Sequence, residues 1–198
     1  MSDPILSDRD FDILFRQART YYSWANTPVT RVQMQAIYDL ARMGPTSANC
    51  SPARFMWCES EEARTLLADC VSASNRPKVL SAPVTVIIGM DLAFYEKLPE
   101  LFPHDLSARS WFEGSATVAR DTAFRNSSLQ GAYLIMAARA LGLDTGPISG
   151  FDKAKVDAVF FAGTTVETNF ICSIGHGTTE MLFPRSPRLS FEEACEIR

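Results

Sequence analysis

The chain has 198 residues, of which 46% are hydrophobic and 21% are charged, so it is long enough for one large core and short for two. We therefore expect a single domain over residues 1–198. The net charge of -4, without any run of Lys or Arg, excludes a general attraction to nucleic acid or to an anionic membrane.

The cysteines and histidines argue against a disulfide framework and a metal centre. The 5 cysteines are an odd number, widely spaced and without a C-x-x-C pair, and there are only 2 histidines. Residues 1–6 lack the basic and apolar regions of a targeting peptide, and no apolar run is as long as a membrane span. We expect a cytoplasmic protein with reduced cysteines and no metal.

Capping residues and apolar periodicity predict three helices in the first third of the chain. Ser7 begins an amphipathic helix that continues to Ala18, and Thr30 begins a second that ends at Gly44-Pro45. Ser60 begins a third, which continues to Val71. The β-like residues 55–58 lie between the second helix and the third.

The middle of the chain predicts a buried strand and a candidate lid. Residues 83–90 are β-branched and apolar on both faces, as in a strand covered by helices above and below. Residues 91–114 are rich in aromatic side chains and irregular in pattern. We interpret them as a lid, with a short helix and loop packed on the core as the alternative.

The last third predicts a long buried helix, then two strands. Residues 115–141 contain no proline, and their second half is apolar all round, which is typical of a helix at the centre of a protein or of a dimer interface. Gly142 ends this helix. A strand over 143–150, a helix capped by Asp152, a strand over 168–175 and a polar tail over 182–198 follow.

The loop over residues 44–54 is the most informative segment. Thr46, Ser47 and Asn49 offer two hydroxyls and an amide on a backbone stiffened by prolines, which suits a planar heterocycle with donors and acceptors along one edge. The alternative is a helix stop followed by an ordinary surface turn.

Two other motifs do not carry a function. Gly175-His176-Gly177 begins like a dinucleotide fingerprint, but Glu180 occupies the third glycine position and too little chain follows for a βαβ unit. A cysteine hydrolase built on Cys50 and His104 has the residue types but no activating context.

Four ordered segments resemble the nitroreductase family of flavoproteins. These are residues 18–24, 45–52, 140–151 and 188–193, which are similar to the family's R-R-S-x-R-x-F, A-P-S-x-x-N-x-Q-P, G-L-G…P-I-x-G-F and R-x-P-L-E-E segments. Residues 44–54, 102–104, 108–112, 124–128 and 188–194 most resemble the short branch that contains the malonic semialdehyde reductase of pyrimidine breakdown.

The resemblance implies the fold and the assembly. It predicts an α+β fold with a central mixed, mostly antiparallel sheet flanked by helices. Two chains would form an intertwined homodimer that exchanges its C-terminal tails. FMN would lie at the interface between them.

The resemblance also implies which residues bind FMN. Arg19 and Arg188 would hold the phosphate, with a hydroxyl from Thr20. Thr46, Ser47 and Asn49 would reach the flavin from the partner chain. The ring would be lined by Pro147, Ile148, Ser149 and Gly150, with a backbone N–H of Ser149 or Gly150 directed at flavin N5, where the hydride is exchanged.

Three positions depart from the family pattern. Tyr22 replaces a second basic residue, Ser51 replaces a Gln, and Ser186 stands where a Lys is common. Tyr22 leaves fewer cations for the phosphate. Arg185 is the alternative to Arg188 as the phosphate ligand, and we favour Arg188.

The implied activity is a ping-pong hydride transfer from NAD(P)H through FMN to a small acceptor. The acceptor would be a nitroaromatic or quinone, as in the wider family, or malonic semialdehyde reduced to 3-hydroxypropionate, as in the branch. Arg109, beside Phe112 in the lid, or Arg54 would bind a substrate carboxylate, although Arg109 is equally explained as a structurally paired arginine. A non-catalytic flavin-binding protein fits the cofactor motifs equally well.

Overall fold

A computed structural model describes residues 5–198, so residues 1–4, on which the targeting-peptide argument partly rests, lie outside the described residues. The described chain contains one sheet of four strands in the order β1-β2-β4-β3, with every pairing antiparallel. The strands are β1 Ala53–Cys58, β2 Val84–Asp91, β3 Asp144–Ile148 and β4 Val166–Gly175. A single parallel bridge joins Thr20 to Thr145 on β3, which is an edge strand.

Nine α-helical segments surround the sheet in residues 5–198. They are α1 Asp8–Phe11, α2 Arg31–Ala41, α3 Glu61–Ala68, α4 Arg76–Ser81, α5 Leu98–Leu101, α6 Ser110–Glu113, α7 Ala116–Ala140, α8 Lys153–Phe160 and α9 Phe191–Ala194. A π-helical turn, Asp12–Arg16, continues α1. No helix in the described part of the chain combines the length and apolarity that crossing a bilayer requires.

The sheet is covered on both faces, as predicted from the apolar run in β2. Val84, Val86 and Ile88 pack with α2 and α7 on one face, and Ile87 packs with α3, α4 and α8 on the other. The structure therefore has the α+β fold that the resemblance implies, with one apolar cluster on each face of the sheet around β2.

Helix α7 is the longest element, and its ends agree with the prediction. The Ser115 side chain accepts a hydrogen bond from the backbone N–H of Val118, and Gly142 has a φ of 76° just after the helix. Its apolar half is not buried all round, because Leu134 is fully buried while Ala132 is exposed. The exposed face of α7 is free to meet another surface.

Two predicted helices are shorter than expected because tertiary pairing ends them. The first helical segment stops at Arg16, since the chain must leave the helix for Thr20 to pair with Thr145. The third stops at Ala68, because Val71 pairs with Phe151. Helix α4 was not predicted, because its short polar sequence has no apolar periodicity.

The lid segment consists of short helical turns packed on a third apolar cluster. Phe94, Leu98 and Phe112 are buried there with Cys50 of the loop. The tail beyond Leu182 is exposed along its length, and Leu189 and Phe191 are 71% and 58% exposed. The exchange of tails between two chains stays a prediction.

Candidate functional site

An open groove of about 540 Å³ brings together three of the predicted phosphate-binding residues. Arg19 and Thr20 come from the segment after the first helix, and Arg188 comes from the tail. Two arginines of the groove were not assigned to the phosphate from the sequence: Arg16, and Arg139 of α7. The sequence signal for Arg139 was a single charge within the apolar half of a long helix.

Four of the five arginines that line the groove form no ion pair with a described residue. Among the described residues, Arg16 pairs with Asp8 and Asp12, whereas no carboxylate lies within 4.0 Å of the other four guanidinium groups of the groove. Those four belong to Arg19, Arg139, Arg185 and Arg188. A groove of unpaired guanidinium groups is suited to a phosphate, which takes up several charge-assisted hydrogen bonds at once.

The backbone positions these arginines. Arg19 donates to the carbonyl of Phe183, and Arg185 donates to the carbonyl of Ala18 at 2.8 Å, so the tail is tied to the segment after the first helix. Among the described residues, Arg188 donates only to the carbonyls of Ser186 and Pro187, at 2.9 and 3.1 Å. Its remaining donors are therefore available to a ligand.

The pairing of Thr20 with Thr145 places this groove beside β3. The predicted ring residues lie in that strand and directly after it. Pro147, Ser149 and Gly150 are exposed, whereas the side chain of Ile148 is buried in the core, so only its backbone can meet a ligand. Within residues 5–198, the backbone N–H groups of Ser149 and Gly150 have no acceptor.

Asn75 and Lys78 join the end of β3 to Tyr22, and sequence reasoning missed both. The Asn75 amide donates to the carbonyl of Gly150 at 3.0 Å and accepts from the Lys78 ammonium at 2.9 Å. The ammonium lies 4.0 Å from the centre of the Tyr22 ring. Burial lowers the pKa of Lys78. The Lys78 ammonium therefore lies over the ring of Tyr22, the residue that stands where the family pattern has a basic residue.

Three side chains of α7 hold the polar loop. The backbone N–H of Ser47 donates to Asn126 Oδ1, and that of Ala53 donates to Gln130 Oε1, both at 2.8 Å. The hydroxyl of Tyr133 donates to the carbonyl of Pro45 at 3.0 Å. Asn126, Gln130 and Tyr133 lie on one face of the helix, so α7 presents the loop as a unit.

The loop has a strained backbone. Ala48, Asn49 and Ser51 have φ values of 49°, 50° and 38°, in the left-handed region that non-glycine residues rarely adopt. Such strain persists only where the surroundings hold it, and it concentrates at binding sites. The interpretation of residues 44–54 as an ordinary surface turn is therefore disfavoured.

Two polar side chains of the loop already form hydrogen bonds within the chain. Thr46 Oγ1 accepts from the backbone N–H of Ser51 at 3.1 Å, and the Asn49 amide donates to the carbonyl of Leu101 in the lid at 2.8 Å. Cys50 lies beneath the loop, 1% exposed, where burial raises the pKa of its thiol to about 11. A thiol in this environment is a poor nucleophile, which argues against a cysteine hydrolase.

A second groove, of about 620 Å³, lies at the loop. It is lined by Pro45, Asn49 and Arg54 among others, and it shares no lining residue with the arginine groove. A single described chain therefore presents the loop and the arginine groove at separate places.

The predicted substrate residues are engaged by other side chains. Arg54 donates to Asp91 at 2.6 Å. Arg109 donates to both carboxylate oxygens of Glu96, at 2.8 and 3.1 Å, and to Glu113 at 2.8 Å. Phe112 is buried, with its ring 5.0 Å from that of Phe94. A substrate carboxylate would have to compete with these ion pairs.

The nitroreductase family profile matches residues 15–176 of the chain. A protein of Burkholderia lata with the provisional name NADH dehydrogenase/NAD(P)H nitroreductase is 56% identical over 192 residues, which cover 97% of this chain and 98% of that one. A relative from Ralstonia pickettii with the same provisional name is 55% identical over 186 residues, which cover 93% of this chain and 95% of the relative.

Solved structures agree on the fold. A provisionally named nitroreductase from Bacillus subtilis superposes with a TM-score of 0.88 at 22% identity, covering 97% of this chain and all of the other. A protein from Exiguobacterium sibiricum, solved in complex with FMN, superposes with a TM-score of 0.84 at 22% identity, covering 98% of this chain and 99% of the other. The expectation drawn from the four sequence segments is confirmed at this level: the chain belongs to the nitroreductase family.

Proposed function

We propose that this protein is an FMN-dependent NAD(P)H oxidoreductase whose two sites are each built from two chains. The observation that carries the proposal is the arginine groove beside the edge strand β3. Arg19, Thr20 and Arg188 line it, and the guanidinium groups of Arg19 and Arg188 have no carboxylate partner among residues 5–198. These donors fit the phosphate of a mononucleotide.

The end of β3 fits the ring of the same ligand. Pro147 and the backbone of residues 148–150 offer an exposed edge, and the N–H groups of Ser149 and Gly150 have no acceptor within the described chain. When bound, FMN would supply the hydride chemistry at N5 between NAD(P)H and the acceptor. The chain's own task is to hold the ring with an N–H donor near N5 and to leave one face open, so that NAD(P)H and the acceptor use it in turn.

In the proposed dimer, each chain contributes its polar loop to the FMN site of the other chain. Because the loop and the arginine groove lie apart in one chain, we propose that Thr46, Ser47 and Asn49 complete the site of the partner. The apolar side chains exposed on α7 are those that a second chain would cover, and Val118, Phe124 and Leu129 are 45%, 55% and 41% exposed. We also place the protein in the cytoplasm, where its free cysteines would remain reduced.

The proposed acceptor is malonic semialdehyde, reduced to 3-hydroxypropionate. This choice follows the sequence resemblance to one branch of the family. The carboxylate of that substrate needs a cation, and Arg54, which lines the groove at the loop, and Arg109 of the lid are the candidates. Arg109 could exchange one of its two carboxylate partners, Glu96 or Glu113, for the substrate.

The experiment is a reduction and reoxidation of the purified protein without oxygen. The protein is loaded with FMN and reduced with NADH or NADPH. Reoxidation by malonic semialdehyde, other aldehydes, nitroaromatics and quinones is then followed by stopped flow. We expect the yellow colour to bleach with the nucleotide and to return fastest with malonic semialdehyde.

Two outcomes would replace this proposal. Faster reoxidation by nitroaromatics or quinones than by any aldehyde would make the protein a general nitro or quinone reductase. An FMN-loaded protein that neither nucleotide bleaches would be a flavin-binding or flavin-buffering protein without catalysis.

A further inference from the structure

Arg139 occupies an unusual place for an arginine. It lies in the last turn of α7, is partly buried and lines the arginine groove. Its guanidinium donates to the carbonyl of Leu14 at 2.9 Å. Its Nε is buried without an acceptor among residues 5–198, and no carboxylate lies within 4.0 Å of the group.

Arg139 forms no ion pair with a described residue, and the only carboxyl whose charge favours it, that of Asp144, lies beyond ion-pair distance. A buried cation is normally paired, because desolvation is costly and an unpaired N–H adds to that cost. Burial lowers the pKa of Arg139, and the charge of Arg185 adds to this effect, whereas the carboxyl of Asp144 acts in the opposite direction. Burial thus makes the cation less favourable, and an anion bound in the groove would favour it.

We propose that Arg139 is a phosphate ligand of the FMN site and supplies from α7 the charge that Tyr22 does not. This inference rests on the proposed function and names a residue that the sequence resemblance did not provide. Arg19 and Arg188 approach the groove from two exposed segments, whereas Arg139 approaches from the longest helix of the fold. The site would therefore hold a phosphate with one guanidinium group whose position the core determines.

A purely structural role makes a different prediction. If Arg139 only ties Leu14 to α7, its removal weakens the fold in the same way whichever ligand is present. If it binds the phosphate, its removal affects FMN and spares riboflavin, which has the same ring without the phosphate. The comparison of these two ligands separates the two roles.

The test is the affinity of the apoprotein for FMN and for riboflavin, measured by quenching of flavin fluorescence. Arg139→Met should weaken FMN binding by about 10- to 100-fold and riboflavin binding by less than about 3-fold. Arg139→Lys, which keeps the charge, should lie between the wild type and Arg139→Met for FMN and serves as the second variant if the methionine protein does not fold. Arg31→Met removes an equal charge from an exposed pair with Glu59 and should match the wild type.

Two results would overturn the inference while leaving the proposed function intact. One is a wild-type affinity for FMN in both Arg139 variants. The other is an equal loss for FMN and riboflavin, which would mean a structural tether. A wild-type protein that does not bind FMN would overturn the proposed function as well.

The phosphate could also come from a second source, the 2′-phosphate of NADPH. The FMN-loaded variants are therefore compared for their KM values with NADPH and NADH. We expect the ratio of the two KM values to be unchanged. A large rise in the KM for NADPH alone, with an unchanged affinity for FMN, would mean that Arg139 binds the 2′-phosphate of NADPH. It would overturn the assignment of Arg139 to FMN.

Discussion

The side chain of Asn126 and the backbone of Ser47 are joined by a 2.8 Å hydrogen bond in which the fully buried amide oxygen accepts from the N–H. The same amide donates to the carbonyl of Thr122 at 2.8 Å. Asn126 therefore links the centre of α7 to the loop at the point where its strained backbone begins.

Replacing Asn126 should loosen the loop. Asn126→Ala removes a fully buried amide and leaves the N–H of Ser47 without its acceptor, so we expect a loss of about 1–3 kcal/mol in the free energy of unfolding. FMN binding should weaken as well, because the loop no longer holds one conformation. Chemical denaturation and fluorescence titration measure the two effects. Asn26→Ala, at an exposed position, is the control, and an FMN affinity equal to wild type in Asn126→Ala would contradict the link.

Removing Arg188 should weaken FMN binding more than removing Arg185. Within residues 5–198, the guanidinium of Arg188 donates hydrogen bonds only to the carbonyls of its neighbours Ser186 and Pro187, whereas Arg185 donates to the carbonyl of Ala18. We expect Arg188→Ala to raise the Kd for FMN by about 10-fold or more and Arg185→Ala by less, with riboflavin affinity little changed in both. Equilibrium titration of the two variant apoproteins with FMN shows which substitution raises the Kd more. A larger effect in Arg185→Ala would reverse the assignment.

Arg109 should matter for acidic acceptors only. Arg109→Ala removes the proposed carboxylate partner, so the KM for malonic semialdehyde should rise far more than the KM for a neutral quinone. The change also removes the ion pairs with Glu96 and Glu113. Glu113→Gln breaks one of these pairs while keeping the arginine and is the matched control. Equal effects of Arg109→Ala on both acceptors would mean that it acts only through the lid.

Acid should remove the stability that Glu167 provides. Hydrogen bonds from Arg120, and then from Lys153, lower the pKa of this carboxyl from 4.5 to about 2. Because the folded-state pKa is depressed, the contribution is complete above pH 4.5 and is lost as the pH falls towards 2. Allowing for its partial exposure, Glu167→Gln should cost about 1–2 kcal/mol at neutral pH.

The check on Glu167 is denaturation of both proteins across the pH range. The difference between wild type and Glu167→Gln should shrink as the pH falls through this window. Glu62→Gln, at an exposed position without an ion pair among residues 5–198, is the control and should show little difference at any pH. A Glu167→Gln difference that stays constant down to low pH would refute the assignment.

Local signals predicted the elements that position the site. Ser115 and Gly142 mark the ends of α7 because capping requires an acceptor side chain at one end and a residue tolerant of positive φ at the other. The burial of β2 on both faces follows from its continuous apolar composition. These features depend on residues that are close together along the chain, so they can be predicted from the sequence.

The residues that sequence reasoning missed are joined by contacts between distant segments. Arg139 meets Leu14 across 125 positions, and Asn75 meets Gly150 across 75. No local sequence pattern predicts such contacts. In the sequence, a polar residue that makes one cannot be distinguished from a polar residue whose side chain is solvated. The resemblance implied that the loop reaches the site of the partner chain, but the local sequence pattern did not show that the loop and the arginine groove lie apart in one chain.

The central claim is that each FMN site takes residues from two chains, and a mixed dimer tests it most directly. One chain carries Arg19→Ala and Arg188→Ala, and the other carries Ser47→Ala and Asn49→Gly, the glycine being chosen because Asn49 has a positive φ. Each chain alone should fail to retain FMN at a concentration that saturates the wild type. In a dimer purified through a different tag on each chain, one site carries both defects and the other carries none. We predict one FMN for every two chains, and a mixed dimer without FMN would contradict the claim.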